Sequence, residues 1–138
     1  MLNKILYITS FLFFVSCSSS NPEAQIQYLD GYWEIEKVIL SDGTEKKYNF
    51  NQSIDFFEVK DSVGIRKKLQ PQLNGNFIST KDNETFTLKI EQDSLRIYYK
   101  TPQSSWKETI ISAKENRMTI TNNTGNVYFY KRYQKLSL

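Results

Sequence analysis

Apolar and polar side chains alternate over short stretches in the second half of the chain. Residues 84–91 place an apolar side chain at every second position, and residues 95–99 repeat the pattern after a polar break at Gln92-Asp93. Strict alternation predicts strands with one buried face, and the short break predicts a hairpin between them. The alternating apolar residues are Phe86, Leu88, Ile90, Leu95, Ile97 and Tyr99.

The rest of the chain after Gly31 consists of similar short segments, rich in β-branched and aromatic residues. Turn residues separate them, for example Asp42-Gly43 and Asn74-Gly75, where Gly accepts a positive φ. A short helical turn is expected only at residues 25–29. The predicted strands cover residues 32–40, 54–60, 63–69, 76–80, 84–91, 95–99, 106–112, 117–122 and 127–133.

Eight or nine strands at this spacing predict an all-β fold. Because the connections are short, consecutive strands are expected to pair antiparallel. No long crossover is visible, and closure leaves no exposed sheet edge. We therefore expect a small antiparallel up-and-down β-barrel of about eight strands rather than a sandwich.

The N-terminal sequence predicts an export signal. Lys4 precedes an apolar run over residues 5–15, which is shorter than the ~20 residues of a membrane-spanning helix. The run ends in Phe14-Val15-Ser16-Cys17, which resembles a bacterial lipobox. The resemblance implies cleavage after residue 16 and attachment of a diacylglycerol and an acyl chain such as palmitate to Cys17. An ordinary signal peptide or a transmembrane anchor is less favoured, since a free exported Cys would be reactive.

Three segments follow from this reading: a lipoprotein signal peptide (1–16), a lipidated flexible tether (17–28) and a barrel domain (29–138). No Asp follows Cys17, and no acidic cluster follows it either. By resemblance to known lipoprotein sorting, we expect a cell-envelope protein on the outer membrane, facing the periplasm.

Composition excludes several functional classes. The 18 Lys and Arg residues against 15 Asp and Glu give a net charge of +3, and removal of Lys4 with the signal leaves +2. So small an excess of positive charge does not indicate a nucleic-acid partner. His is absent and Cys17 is the single Cys, so neither a catalytic thiol nor a His or thiolate metal site is available. We expect no enzyme activity, no catalytic residues, no cofactor and no metal.

Residues 29–33, Leu-Asp-Gly-Tyr-Trp, resemble the opening of lipocalins, whose first strand carries a Gly-x-Trp motif matched by Gly31 and Trp33. Together with the lipobox and the strand spacing, the chain resembles the lipocalin-like lipoproteins of Bacteroidetes. The resemblance implies that Trp33 closes one end of the barrel and that a basic residue of the last strand, Arg132, packs over it. Strand parity argues partly against Arg132, because Val127 and Phe129 are expected to form the inward set.

Two functional hypotheses remain. The first is a monomeric membrane-anchored module that binds a small apolar or amphipathic ligand. The second is a filled barrel that acts through its surface in an envelope complex, because small barrels have interiors just wide enough for side chains. Under the first hypothesis, the candidate pocket-lining residues are Phe86, Leu88, Ile97, Tyr99 and Phe129.

Other patterns have simpler explanations. Glu34 and Glu36 share a strand face, as a pair of glycosidase carboxylates would, but a solvated face explains them better. The basic run at residues 66–68 and the aromatic-basic last strand resemble a nucleic-acid surface, which an exported protein has little use for. Asp-Ser at residues 61–62 and 93–94 matches a short glycosylation pattern and is equally ordinary turn chemistry.

Overall fold

A computed structural model of the chain describes residues 21–79 and 83–135. The predicted signal peptide and Cys17 lie outside these residues, as does Thr80, the end of one predicted strand. The described elements are α1 (Pro22–Ile26), β1 (Gly31–Ile39), β2 (Glu45–Lys47), β3 (Ile54–Lys60), β4 (Val63–Pro71), β5 (Phe77–Ser79), β6 (Glu84–Glu91), β7 (Ser94–Lys100), β8 (Ser105–Ala113), β9 (Arg117–Asn122) and β10 (Val127–Arg132).

Eight of the strands form a closed ring. Each of β1, β3, β4, β6, β7, β8, β9 and β10 pairs antiparallel with the next, and β10 returns to β1. At this closure Trp33 lies opposite Arg132, and Ile39 lies opposite Val127. The prediction of an all-β, up-and-down barrel of about eight strands is confirmed.

β2 and β5 lie outside the ring. β2 was not predicted, because its three residues are charged and exposed and show no alternation. It forms because the Asp42-Gly43 turn folds it back onto the C-terminal half of β1. β5 pairs with the end of β4, which continues to Pro71, two residues beyond its predicted end.

The two ends of the barrel differ in their connections. We call the end with the short turns after β3, β6 and β8 the closed end; two of these turns place Asp61, Gln92 and Asp93 at positive φ. The loops that follow β1, β4, β7 and β9 lie at the opposite end, which we call the open end.

α1 lies at the closed end, where it packs against β7 and β8. Asn21 caps the helix by accepting a hydrogen bond from the Glu23 amide at 3.1 Å. Gln25 is buried, and Ile26 and Tyr28 pack against the core. The predicted tether over residues 17–28 is therefore wrong for residues 22–28, because apolar side chains there are held by the barrel. No helix among the described residues is long and apolar enough to cross a bilayer.

The closed half of the barrel is filled by side chains. The Phe86 ring packs 6.1 Å from Phe57 and edge-on to Tyr99 at 5.7 Å, measured between centroids. Gly64 makes room for it, since a Cβ there would lie 2.5 Å from the Phe86 ring. The core comprises Leu29, Trp33, Phe57, Phe86, Leu88, Leu95, Ile97, Tyr99, Ile110, Ala113, Met118, Ile120 and Tyr130.

The predicted register of the β6–β7 hairpin agrees with the observed pairing. Leu88 pairs with Ile97 and Ile90 with Leu95, and the partners other than Ile90 are buried. Ile90 was predicted on the buried face but is 44% exposed, because it lies next to the turn, at the limit of the packed core.

Changing Leu88 to Asp should lower the free energy of unfolding by several kcal/mol, because it places an unpaired charge in the core. Lys89→Asp is the matched control, since the neighbouring Lys89 side chain is exposed, and it should change stability little. Denaturant unfolding measures both; equal midpoints would contradict the register.

Candidate functional site

Trp33 and Arg132 form a cap at the closed end. Trp33 is 0% exposed, and its indole N–H donates to the Leu29 carbonyl at 2.9 Å. The guanidinium carbon of Arg132 lies 3.7 Å from the Trp33 ring centroid, a cation–π geometry. The Arg132 guanidinium also donates to the backbone carbonyls of Tyr28, Asp30 and Glu115. One side chain thus joins the N-terminal segment, the β8–β9 turn and the last strand.

Gly31 is required by this cap. Its φ is +113°, a conformation that residues with a Cβ rarely adopt. A Cβ at this position would lie 2.7 Å from Nη1 of Arg132, the same nitrogen that donates to the Asp30 carbonyl at 2.6 Å. The glycine of the Gly-x-Trp motif therefore leaves space for the arginine.

The inward set of β10 is the opposite of the predicted one. Tyr130 is buried and, like Tyr128, lines the barrel interior, on the same face as Arg132. Phe129 lies on the outer face with Lys37 Nζ 4.7 Å from its ring centroid. The expectation for Val127 and Phe129 was wrong because it ranked side chains by hydrophobicity, whereas the hydroxyl of Tyr130 has a hydrogen-bond partner inside the barrel.

A register shift in β1 keeps the inward-facing residues of β1 and β10 next to each other. The pairing with β10 skips Glu36, so that Ile35 pairs with Tyr130 and Lys37 with Phe129. Such a β-bulge lets Trp33, Ile35 and Val38 share the inner face.

Among the described residues, a cavity of about 430 Å³ lies in the open half of the barrel. Its walls include the aromatic residues Trp106, Tyr128 and Tyr130, and its other lining side chains are mostly polar or charged. The full lining is Ile35, Ser53, Asp55, Arg66, Lys68, Glu84, Trp106, Glu108, Asn122, Tyr128 and Tyr130.

The predicted pocket lining differs from the observed one. Phe86, Leu88, Ile97 and Tyr99 belong to the filled core of the closed half, and Phe129 lies outside the barrel. None of the five lines this cavity. Alternation correctly indicated which residues face inward on β6 and β7, but the level along the barrel decides whether an inward residue meets other side chains or the cavity.

Arg66 forms the floor of the cavity with its side chain only 12% exposed. Its Nη1 donates to the Tyr99 hydroxyl at 3.0 Å and to Glu108 at 3.3 Å. Its Nη2 donates to the Tyr130 hydroxyl at 3.0 Å and to Asp55 at 3.2 Å. Four strands thus supply a partner each, and a buried guanidinium needs such pairing to offset its desolvation.

The two carboxylates beside Arg66 respond differently to burial. Burial disfavours the charged form of Asp55, but Arg66 and Lys68 outweigh it and hold the Asp55 pKa below the ordinary 3.8. Lys68 Nζ lies 3.3 Å from Oδ1 of Asp55 and forms an ion pair with it. For Glu108, burial prevails over Arg66, and nearby Asp55 and Glu84 add to it, so its pKa is raised above 4.5.

Sequence reasoning missed this cluster. Arg66 was considered there only as part of the basic run at residues 66–68, although it alternates with Lys67 and its partners lie 11 to 64 residues away. One signal pointed to it: Asp55 lies between Ile54 and Phe56 in an otherwise apolar segment, where a charge is out of place unless it is paired.

The other sequence candidates stand apart from the cavity. Glu34 pairs with Lys131 at 3.2 Å, and Glu36 pairs with Arg117. Both pairs are partly or largely exposed, which agrees with the interpretation of Glu34 and Glu36 as part of a solvated strand face. Within residues 21–79 and 83–135, no group of three or more His, Cys, Asp or Glu side chains is arranged to hold a metal ion.

The sequence model of the Lipocalin-like domain family matches residues 29–120. The chain belongs to the lipocalin-like domain family. The resemblance seen at Gly31 and Trp33 is thereby confirmed at the level of the family, and the match begins at Leu29, where the predicted barrel domain begins.

Solved structures similar to this lipocalin-like domain share little sequence with it. A lipocalin-like protein from Bacteroides uniformis is 9% identical, with a TM-score of 0.48 over 76% of this chain and 98% of that one. An uncharacterized protein from Bacteroides eggerthii is 11% identical, with a TM-score of 0.49 over 76% and 99%. Lobster apocrustacyanin A1 is 11% identical, with a TM-score of 0.48 over 86% and 68%. No curated protein sequence matches the chain.

The cap can be tested by a double-mutant cycle of Trp33→Phe and Arg132→Gln in denaturant unfolding. Because the two side chains stack, we expect a coupling free energy of about 0.5–2 kcal/mol. Strictly additive losses, within about 0.3 kcal/mol, would show that the pair does not interact.

Replacing Arg66 with Met should lower the free energy of unfolding by about 3–5 kcal/mol at neutral pH, because Asp55 and Glu108 lose their buried counter-charge. The loss should shrink as the pH falls through the raised pKa of Glu108 towards 4.5, since protonated carboxyls need no partner. In the wild type, the free energy of unfolding should rise as Glu108 becomes protonated over that range. Protonation of Asp55 should lower it only below pH 3.8.

Urea unfolding at several pH values measures this effect, with Lys67→Met as the matched control, because Lys67 neighbours Arg66 but does not line the cavity. A loss for the Arg66 variant that is independent of pH, or equal to that of the control, would contradict the ionic role of Arg66.

Proposed function

We propose that this lipocalin-like protein is a membrane-anchored binding module that holds a small amphipathic molecule in the open-end cavity. The observation that carries the proposal is the cavity itself, which combines aromatic walls with a charged floor at Arg66. Membership of a lipocalin-like family suggests ligand binding in general.

Size and lining support an amphipathic ligand over a wholly apolar one. A volume of about 430 Å³ lies within the range of about 300–1,000 Å³ typical of small-molecule pockets. Trp106, Tyr128 and Ile35 offer apolar contact. A purely apolar molecule would also strip water from Glu84 and Glu108 without replacing its hydrogen bonds, which costs free energy. A polar group directed towards the floor avoids this penalty.

The alternative is a filled-barrel module that acts through its surface in an envelope complex. The packed closed half favours it, because most large inward side chains there contact one another. The cavity in the open half favours the binding module instead.

We propose that the anchor is an acyl group on Cys17 and that the protein faces the periplasm from the outer membrane. The support is the lipobox at residues 14–17 and the short distance to the barrel. Cys17 precedes Asn21 by four residues, a chain that spans at most about 14 Å. Since α1 starts at the closed end, such an anchor directs the open end away from the bilayer. A ligand would then enter from the aqueous compartment. That the protein is a monomer and no enzyme stays a prediction.

Native mass spectrometry of the purified full chain tests ligand binding. We expect a small-molecule adduct that is lost on denaturation. Ser53→Trp should abolish the adduct, because Ser53 lines the cavity and the indole would fill it. Ser105→Trp is the control, since that exposed residue does not line the cavity. An adduct that persists in Ser53→Trp, or a bare protein mass throughout, would contradict binding in this cavity.

Changing Cys17 to Ala tests the anchor. Without the thiol no diacylglycerol can be attached, and we expect the protein to move from the membrane to the soluble fraction. Ser18→Ala is the matched control and should leave the protein in the membrane fraction. Retention of the Cys17 variant on membranes after high-salt and carbonate washes would refute lipid anchoring.

A further inference from the structure

The charged residues around the cavity are unequal in number. Three carboxylates, Asp55, Glu84 and Glu108, line it together with two cations, Arg66 and Lys68. The sign of a charged ligand therefore depends on which of these groups still lack a partner.

Both cations are engaged. The two terminal nitrogens of Arg66 carry four N–H groups, and the structure gives them four acceptors: Tyr99, Glu108, Asp55 and Tyr130. Lys68 pairs with Asp55 at 3.3 Å. An anionic ligand at the terminal nitrogens of Arg66 would have to displace one of these four partners and leave a buried carboxylate or hydroxyl unsatisfied.

The carboxylates are less completely balanced. Glu108 contacts Arg66 through one oxygen, at 3.3 Å, and shares that guanidinium with Asp55. Among the described residues Glu84 belongs to no ion pair, and its charge acts unfavourably on Glu108. A positive charge between Glu84 and Glu108 would relieve this repulsion.

Aromatic rings complete the lining. Trp106, Tyr128 and Tyr130 border the same space, and Trp106 is held by stacking on Tyr99, with centroids 5.1 Å apart. The faces of Trp and Tyr rings attract organic cations. Aromatic walls beside unbalanced carboxylates suit a positively charged head group on an apolar body.

We infer that the cavity selects organic ammonium compounds with an aromatic or short aliphatic body, and that Glu84 and Glu108 receive the positive charge. This assignment names the ligand class of the cavity and rests on the function proposed above.

Three probes with one phenyl body and different charges test the inference: 2-phenylethylamine, phenylacetamide and phenylacetate. Isothermal titration calorimetry on the purified protein measures their affinities at neutral pH and low salt. We expect the amine to bind at least about tenfold more tightly than the neutral amide, and phenylacetate to bind most weakly.

Glu84→Gln identifies the group responsible. It removes one charge with little change of shape, so amine affinity should fall about fivefold or more while amide affinity stays the same. Glu45→Gln is the matched control, because Glu45 pairs with Lys37 outside the cavity; it should change neither affinity.

The outcomes separate this inference from the proposed function. Equal affinities for amine and amide, or tightest binding of phenylacetate, overturn the inference and leave ligand binding intact. If no probe binds, the inference is tested instead by the charge of the adduct seen in native mass spectrometry. A neutral or anionic adduct overturns the inference alone, a cationic one supports it, and the absence of any adduct overturns both.

Discussion

The structure depends on the burial of one positive charge inside the barrel. A guanidinium in this position is stable only with partners on several sides, and Arg66 obtains them from β3, β7, β8 and β10. The cluster orders the middle of the barrel, and it separates two regions of different character. Apolar side chains fill the space towards the closed end, and a polar-floored cavity opens towards the other.

The fold was predictable because strand alternation and turn residues are local signals. Leu88, Leu95 and Ile97 alternate in the sequence and are buried in the structure, and Asp42-Gly43 marks a real hairpin. The Gly-x-Trp motif was also local. The reason for its glycine is not local. Position 31 needs glycine because Arg132, from the other end of the chain, occupies the space beside it.

The candidate site was poorly predictable for a related reason. Its members are polar or amphipathic, and each resembles a surface residue when considered alone. Tyr130 and Arg66 face inward because they satisfy each other across two strands far apart in sequence, a relation that no single segment contains. Hydrophobicity alone therefore assigned Phe129 to the interior and Tyr130 to the solvent, the reverse of the observed arrangement.

Closure of the ring between β1 and β10 has a consequence for how the chain folds. The hydrogen bond from Arg132 to the Asp30 carbonyl joins residues 102 positions apart. Folding slows as contacting residues become more distant in sequence, and a barrel whose first strand pairs with its last cannot close until nearly the whole polypeptide is available. Until then the edge of β1 that β10 later covers is unpaired, a state that favours association between chains. The closed ring of eight strands is thus preceded by a state in which one edge of β1 is open.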